Sequence, residues 1–384
     1  MKILKSFLQY SVGMFFFTIS FILHPFIKIR YGILYAERLG HLTSTLDNYL
    51  YLKKEKDSKN EIAIFHIMRP ISNEEILRLW KNQRSIFFFK VAKYVFYFDK
   101  KFSLNSNLII RWKEMAPLPI KTNTIKKFIK IDKDFINKGE KIISENKISE
   151  PYICFTNRDS EYLKHSADQN YFDYKDCQFS DFDKSIRYLI KNNQSVIRIG
   201  KKTNTEYFNP DKNFHSLTDE NRTDFSDIYH LYNSKYNIHG STHGIQAVSA
   251  VFRKKSLNLN FTPFNLYQLT SLAKGSCFIP KKIFHKQKKK FLKFNEISKI
   301  EEDIHYKGNY YSDNQLEFVN NTDEEILNAV KEFDQNFYNE EYNVSQLQEN
   351  FWNSLINSET LNLVKNKLKI RICESFLKTN KDLI

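Results

Sequence analysis

A histidine beside a glycine is the first feature of this sequence that could do chemistry. Arg38, Gly40 and His41 lie in a predicted turn between a strand and a helix. Glycine lets the backbone approach a ligand closely, and a histidine at the mouth of a parallel sheet can take a proton from a hydroxyl group. The turn therefore predicts His41 as a general base, with Arg38 and Gly40 beside it in the ligand loop. A histidine that only caps or packs against its helix is the alternative.

Two arginines near the ends of predicted strands could bind phosphate groups. Arg158, followed by Asp159, comes directly after the predicted strand 152–155. Its planar guanidinium could contact two phosphate oxygens and offset the charge that builds on a diphosphate leaving group. Arg198 lies two residues before Gly200 in another predicted strand and could reach the same crevice. The alternatives are an Arg158 paired with a carboxylate and an Arg198 that points outward from the sheet.

A turn rich in small residues is the third candidate. Gly240, Ser241 and Thr242 follow a short predicted strand and precede a predicted helix over residues 245–252. Backbone N–H groups at such a helix start, together with the helix dipole, favour an anion. The turn therefore predicts a further phosphate contact. An ordinary N-cap formed by Ser241 or Thr242 is the alternative.

Other kinds of site are not indicated. The sequence has no glycine-rich phosphate loop, no dinucleotide fingerprint and no nucleophile elbow, and it has nine glycines in all. Its four cysteines are not spaced as metal ligands or as a disulfide framework. Asp132 and Asp134 form a D-x-D pair, but in a lysine-rich helical stretch. We therefore expect no metal and no cofactor.

Charge and hydropathy indicate an anionic partner at a membrane. Lys and Arg total 59 against 44 Asp and Glu, a formal net charge of +15. Because the basic residues are spread along the chain, we expect no nucleic-acid partner, and the anionic membrane surface is favoured instead. Residues 6–27 lack Asp, Glu, Lys and Arg and could span a bilayer. An interfacial anchor is the preferred interpretation; a spanning helix and a buried hairpin are the alternatives.

The elements that must position these residues alternate between strand and helix. The first block has strands over 27–36 and 61–68, a helix over 42–52, and a helix that begins near Ser72. The second has strands over 152–155, 195–200, 236–239 and 257–261 with helices between them. A lysine-rich helix over 124–147 is the expected hinge. The basic run 281–290 is predicted to be a solvated loop or a lipid-facing patch, and helices are expected over 322–333, 344–356 and 361–377. Two Rossmann-like units follow from this alternation.

Several motifs, in order, carry a resemblance to a known family. They are Arg38-Leu39-Gly40-His41-Leu42, Asn157-Arg158-Asp159, Asp173-Tyr174-Lys175-Asp176, Val196-Ile197-Arg198-Ile199-Gly200, Asp224-Phe225-Ser226-Asp227, His239-Gly240-Ser241-Thr242-His243-Gly244 and Ile279-Pro280-Lys281-Lys282. Over residues 25–285 the chain resembles a family of bacterial glycosyltransferases found with surface-polysaccharide genes. The second half also resembles the donor half of fucosyltransferase-type folds. Lys175-Asp176 replaces the family's usual Arg-Asn, and His239 and His243 stand where smaller residues are usual.

The resemblance implies an α/β protein with two Rossmann-like domains facing a cleft, the GT-B arrangement. The expected division is a hydrophobic membrane-associating segment (1–27), an acceptor domain (28–148), a nucleotide-sugar domain (149–300) and a helical C-terminal region (301–384). It implies a metal-independent glycosyltransferase in lipopolysaccharide, O-antigen or capsule synthesis at the cytoplasmic face of the inner membrane. Its partners would be a nucleoside-diphosphate sugar and a glycan or lipid-linked acceptor. A non-catalytic, membrane-associated basic binding protein and a degenerate transferase are the alternatives.

Overall fold

A computed structural model describes residues 2–115, 127–158, 161, 173–200, 207–301, 304, 308–339, 343–356 and 358–384. These residues form two compact units. The first comprises residues 2–115 and 127–132, and the second begins at residue 133. The sequence predicts the corresponding boundary at residue 148.

The first unit is built on a parallel sheet. Its elements are α1 (Lys2–Leu23), β1 (Lys28–Tyr35), α2 (Leu39–Glu55), β2 (Glu61–Met68), α3 (Glu74–Lys81), β3 (Ile86–Phe88), α4 (Val91–Lys101), β4 (Ile109–Ile110) and α5 (Trp112–Met115). The strand order is β3-β2-β1-β4, with β1 and β2 paired from Lys28 opposite Glu61 to Tyr35 opposite Met68. Helix α3 begins after Asn73, whose side chain accepts from Ile76 N at 2.9 Å. The predicted cap Ser72 is therefore one residue early.

The second unit contains most of the remaining elements. Its helices and strands are α6 (Lys133–Glu145), β5 (Tyr152–Thr156), α7 (Asp183–Lys191), β6 (Ser195–Gly200), β7 (Phe214–Thr218), α8 (Asp224–Asn233), β8 (Asn237–His239), α9 (Gln246–Val251), β9 (Ser256–Phe261), α10 (Leu266–Leu269), β10 (Cys277–Pro280), β11 (Lys282–His285), β12 (Lys290–Phe291), α11 (Phe294–Ile297), α12 (Gly308–Asp313), β13 (Leu316–Val319), α13 (Asp323–Gln335), α14 (Gln346–Ser354), α15 (Glu359–Asn362), β14 (Arg371–Ile372) and α16 (Glu374–Thr379). Short 3₁₀ turns cover Asp173–Lys175 and Phe179–Phe182.

The main sheet of the second unit is parallel, in the order β14-β10-β9-β8-β5-β6-β7. Its central strands are buried at almost every position, as expected where both faces of a sheet are covered. Strand β9 nevertheless alternates apolar residues with Ser256, Asn258 and Asn260. Strands β12, β11 and β13 form a small antiparallel sheet beside it. One buried cluster joins side chains of β5, β9 and β10 to those of α13, α14 and α16. The parallel α/β class is thus confirmed for the described residues.

The C-terminal residues and α6 depart from the prediction. Residues from 301 onward supply β13 and β14 as well as helices, so they complete the second unit's core. The predicted helix 361–377 is wrong: α15 leads into a π turn, Lys369 adopts φ +51°, and β14 follows. Helix α6 belongs to the second unit, because Gly139 lies directly against the Tyr229 ring of α8. The hinge predicted over 124–147 begins among residues outside the described ranges.

Candidate functional site

The strand order of the second unit predicts where a ligand binds. After β7 the chain crosses from one side of β5 to the other, where β8 begins. In open parallel sheets, ligands bind outside the carboxyl ends of the two strands at such a change of direction. Here those strands end at Thr156 and His239, which are register partners. Arg158 follows the first strand and the turn at Gly240 follows the second, so the structure brings these predicted residues to one point.

The two strand ends are tied together by short hydrogen bonds. Gly240 N donates to Thr156 O at 2.7 Å, and Thr156 Oγ1 lies 2.7 Å from His239 Nδ1. The Nε2 atom of His239 contacts Ser249 Oγ at 2.9 Å, and burial holds the pKa of this histidine well below its ordinary value. His239 is therefore a neutral residue that fixes the strand ends.

Arg158 is held by an acidic partner within the same unit. Its side chain is 9% exposed, and Nε lies 3.0 Å from Asp176 Oδ1. The backbone supports this pair, because Cys177 N donates to Arg158 O at 3.0 Å and Asn157 Nδ2 donates to Cys177 O at 3.2 Å. Asp176, a departure from the family pattern, thus orients Arg158. Asp159 lies outside the described residues.

A buried lysine, Lys281, contacts the backbone of the segment that contains Asp176. Lys281 follows β10 and is 3% exposed; its Nζ donates to Tyr174 O at 2.7 Å and to Asp176 O at 2.8 Å. Burial lowers the pKa of Lys281 to about 8, and the positive charge of Arg158 adds to that shift. The prediction of a solvated loop is wrong for Lys281. It is wrong as well for Lys282, which pairs with Glu325 at 2.8 Å.

The turn after β8 presents a neutral histidine next to Arg158. His243 Nδ1 donates to Ser241 O at 2.7 Å, which leaves Nε2 as an acceptor. Burial lowers the pKa of His243 to about 4, the bond to Ser241 opposes this, and the charges of Arg158 and Lys175 lower it further. Among the described residues, neither Nε2 of His243 nor Oγ of Ser241 has a hydrogen-bond partner, and both atoms are buried.

Thr242 and Gly240 also hold the turn in place. Thr242 Oγ1 accepts from Thr262 N at 3.1 Å, which ties the turn to the end of β9. A Cβ on Gly240 would lie 2.5 Å from Phe182 Cζ, so glycine is required for close packing. Neither Ser241 nor Thr242 caps a helix, because α9 begins later with Ile245 at its N-cap. With six residues, α9 is also too short to contribute a strong dipole to the site.

Arg198 lies in β6, opposite Phe155 of β5. Its residue is 2% exposed, and its guanidinium lies 4.2 Å from the centroid of the Phe179 ring. The interpretation of Arg198 as an outward-facing residue is therefore wrong. Because the guanidinium stacks on an aromatic side chain of the core, the placement favours a role for Arg198 in supporting the site through its packing.

The first unit has a similar change of direction between β1 and β4. His41 follows β1 and Trp112 follows β4, and their ring centroids lie 5.0 Å apart. The predicted loop at Gly40 and His41 is wrong, since α2 begins at Leu39 and Arg38 is its exposed N-cap residue. Burial, then the charge of Arg38, lowers the pKa of His41, while Glu37 opposes the shift. The imidazole is neutral near pH 7, as a general base must be.

Sequence reasoning missed Lys281, Asp176 and His243 as parts of one cluster. A lysine that follows a buried parallel strand directly, as Lys281 follows Phe278 and Ile279, was the available indication. The partners of Lys281 are backbone oxygens some 105 residues away in sequence, which no local pattern contains.

No known family profile matches the chain, and no curated protein matches it significantly. Solved structures do. The glycosyl transferase family 9 protein of Veillonella parvula matches 79% of this chain and 96% of its own, at 9% identity and a TM-score of 0.48. The E. coli ADP-heptose lipopolysaccharide heptosyltransferase II matches 65% of this chain and 90% of its own, at 11% identity and a TM-score of 0.40. The dodecameric heptosyltransferase TibC matches 61% of this chain and 58% of its own, at 11% identity and a TM-score of 0.32. These neighbours are bacterial glycosyltransferases, but similarity of this degree does not assign an activity, which must rest on the site.

Proposed function

We propose that this protein is a glycosyltransferase of the GT-B type. It would move a sugar from a nucleoside-diphosphate sugar to a glycan or lipid-linked acceptor in bacterial surface-glycan synthesis. One observation carries the proposal: Arg158 and the turn from Gly240 to His243 meet where the second sheet changes direction. That is the position at which open parallel sheets bind nucleotides.

The second unit would bind the donor. Arg158, fixed by Asp176 on its Nε side, would face the diphosphate, together with the hydroxyl groups of Ser241 and Thr242. Gly240, whose N–H is bonded to Thr156 O, would let the turn pack closely beside them. In the reaction the bond between the sugar C1 and the diphosphate oxygen breaks, and its electron pair stays on the diphosphate. Arg158 would stabilise that charge without a metal, as in fucosyltransferase-type donor halves. Arg198 would act by supporting Phe179, and not by contacting the phosphates.

The first unit would bind the acceptor. The acceptor oxygen forms the new bond to C1, and His41, neutral because its pKa is lowered, would take the hydroxyl proton. Trp112, at 5.0 Å from His41, would hold the ring in place, and Arg38 and Gly40, at the start of α2, would line the acceptor site. This role belongs to an inverting enzyme; in a retaining one His41 would orient the acceptor. We propose a location at the cytoplasmic face of the inner membrane, where a nucleotide sugar and a lipid-linked acceptor can meet.

Calorimetric binding of nucleoside diphosphates to the detergent-solubilised full chain tests the donor site. The panel is UDP, GDP, CDP, dTDP and ADP, with and without magnesium; ADP is included because two of the structural neighbours are ADP-heptose enzymes. Arg158→Ala should weaken binding of the preferred nucleotide by about 10- to 100-fold, the range for loss of a charge-assisted hydrogen bond. Arg198→Lys, which keeps the charge but loses the stack on Phe179, should weaken binding less than Arg158→Ala does.

Each other outcome has a definite meaning. Loss of binding in Arg198→Lys with retention in Arg158→Ala would reverse the roles of the two arginines. A requirement for magnesium would refute the metal-independent mechanism. If folded protein binds none of the nucleotides, the active transferase is excluded, and a membrane-associated binding protein or a degenerate transferase takes its place.

A further inference from the structure

Helix α1 has one face that packs against the rest of the first unit. The residues that pack recur at helical spacing, at Tyr10, Gly13, Phe17 and Ser20. A Cβ on Gly13 would lie 2.5 Å from Tyr94 O, so the α1 and α4 backbones approach closely there. The Phe17 ring lies 5.5 Å from that of Phe98. Ser20 Oγ is buried and 2.7 Å from the hydroxyl of Tyr31.

The opposite face of α1 is apolar and exposed. Its exposed large side chains are Phe7, Leu8, Met14, Phe15, Phe16, Phe21, Ile22 and Leu23, and Phe26 continues the patch beyond the helix at 79% exposure. The stretch Ser6–Leu23 is long and apolar enough to cross a bilayer, and 11% of it is buried against the rest of the unit. A contiguous exposed patch of this kind indicates an interaction surface.

Helix α4 places positive charge beside that patch. At 3.6 residues per turn, Lys93, Tyr97, Lys100 and Lys101 fall within about 100° of arc, next to the positions of Tyr94 and Phe98 that contact α1. The acidic residue of α4, Asp99, is buried and paired with Arg111 at 3.2 Å. Exposed Phe102 continues the aromatic row, since its ring lies 4.9 Å from that of Phe98. Apolar side chains bordered by lysines complement an anionic lipid surface.

We infer that the first unit docks on an anionic bilayer as a monotopic protein, with α1 lying in the interface and α4 supplying lysines to the headgroups. A spanning α1 would have to withdraw Phe17 and Ser20 from their contacts and leave Tyr31 without its hydroxyl partner. An interfacial helix keeps these contacts and buries the free apolar face among the acyl chains. The packed face therefore favours the interfacial anchor, the interpretation that the sequence also favours, over the spanning helix. Docking of the first unit on the bilayer does not depend on donor binding by the second unit.

Flotation of the full chain with phospholipid vesicles tests whether the lysines of α4 contribute to membrane binding. Vesicles of phosphatidylcholine with about 30% phosphatidylglycerol supply the anionic surface, and pure phosphatidylcholine supplies the neutral one. Lys100→Glu with Lys101→Glu should weaken binding to the anionic vesicles by about tenfold or more. The charge-matched control is Lys274→Glu with Lys299→Glu, two exposed lysines of the second unit outside the basic run, and it should bind like the unmodified protein. The reverse ranking of the two variants would overturn the proposal.

The topology of α1 is tested with a cysteine at its start. Ser6→Cys protein is bound from outside to sealed vesicles and treated with a membrane-impermeant maleimide, with the unsubstituted protein as the measure of labelling at its own cysteines. A monotopic helix leaves position 6 on the side from which the protein was added, so labelling should be the same before and after detergent. Labelling only after detergent would mean that α1 spans the bilayer, and would refute the inference.

Discussion

The close packing of Gly240 makes the donor turn sensitive to a single methyl group. In Gly240→Ala the new Cβ would lie 2.5 Å and 2.8 Å from two atoms of the Phe182 ring and 3.2 Å from Asn157 Cβ. The Phe182 ring is fully buried, with ring centroids of Phe179 and Phe155 at 5.7 Å and 6.0 Å. Gly240 does not have a positive φ, so the cost of alanine is steric and not conformational.

Overpacking of this kind destabilises a protein by about 1–3 kcal/mol. We expect the free energy of unfolding of Gly240→Ala to fall by about 2 kcal/mol. Phe182→Leu alone removes ring contacts and should cost about 1–2 kcal/mol, within the usual range for point mutants. Because leucine also clears the space that the new methyl group needs, the double variant should be more stable than the sum of the two changes by about 1 kcal/mol or more.

Urea unfolding of the detergent-solubilised full chain measures these differences. The chain has three tryptophans, and Trp352 is the one in the second unit. Replacement of Trp80 and Trp112 by Phe makes its fluorescence the reporter of that unit. Gly244→Ala, at an exposed glycine of the same turn, is the control and should change stability by less than about 0.5 kcal/mol. Full additivity of Gly240→Ala and Phe182→Leu, or no cost from Gly240→Ala, would refute the contact.

Two further predictions concern pH. The pKa of Lys281 is lowered from 10.5 to about 8, so between these values the unfolded chain binds a proton that the folded chain lacks, and stability rises with pH by on the order of 3 kcal/mol. In Lys281→Met the free energy of unfolding, measured with urea from pH 7.5 to 10.5, should not show this rise. A rise parallel to that of the unmodified protein would contradict the prediction. The pKa of His243 is lowered from 6.5 to about 4, so its contribution is present above 6.5 and is lost as pH falls toward 4. His243→Gln should reduce the acid loss of stability by about 1–3 kcal/mol; an unchanged loss would exclude the buried neutral ring.

The sequence predicted the central elements well, because their residues are locally unambiguous. Strands β2 and β6 have the predicted bounds, since each is an apolar run closed by turn residues. The same run excludes the alternative in which Arg198 faces solvent. In a half-exposed strand, alternation would place it in solvent, but β6 is buried on both faces and the guanidinium packs on Phe179.

Elements defined by distant partners could not be read from the chain. Strand β7 has every residue half-buried and no apolar run, so its place at the sheet edge comes only from pairing with β6. Strand β14 has two residues and exists because they pair with Cys277 and Phe278 of β10. For the candidate site, position was predictable at Arg158 and Gly240, which follow strands. The ion pair with Asp176 and the buried Lys281 depend on tertiary contacts.

The late position of β14 has a consequence during translation. Strand β5 begins at Tyr152 and β14 ends at Ile372, so about 220 residues are added between them, which takes roughly 10–45 s at ribosomal rates. The first unit is complete long before then, whereas β10 presents an unpaired edge until Arg371 and Ile372 emerge. Incomplete chains released during this interval should therefore aggregate through the β10 edge.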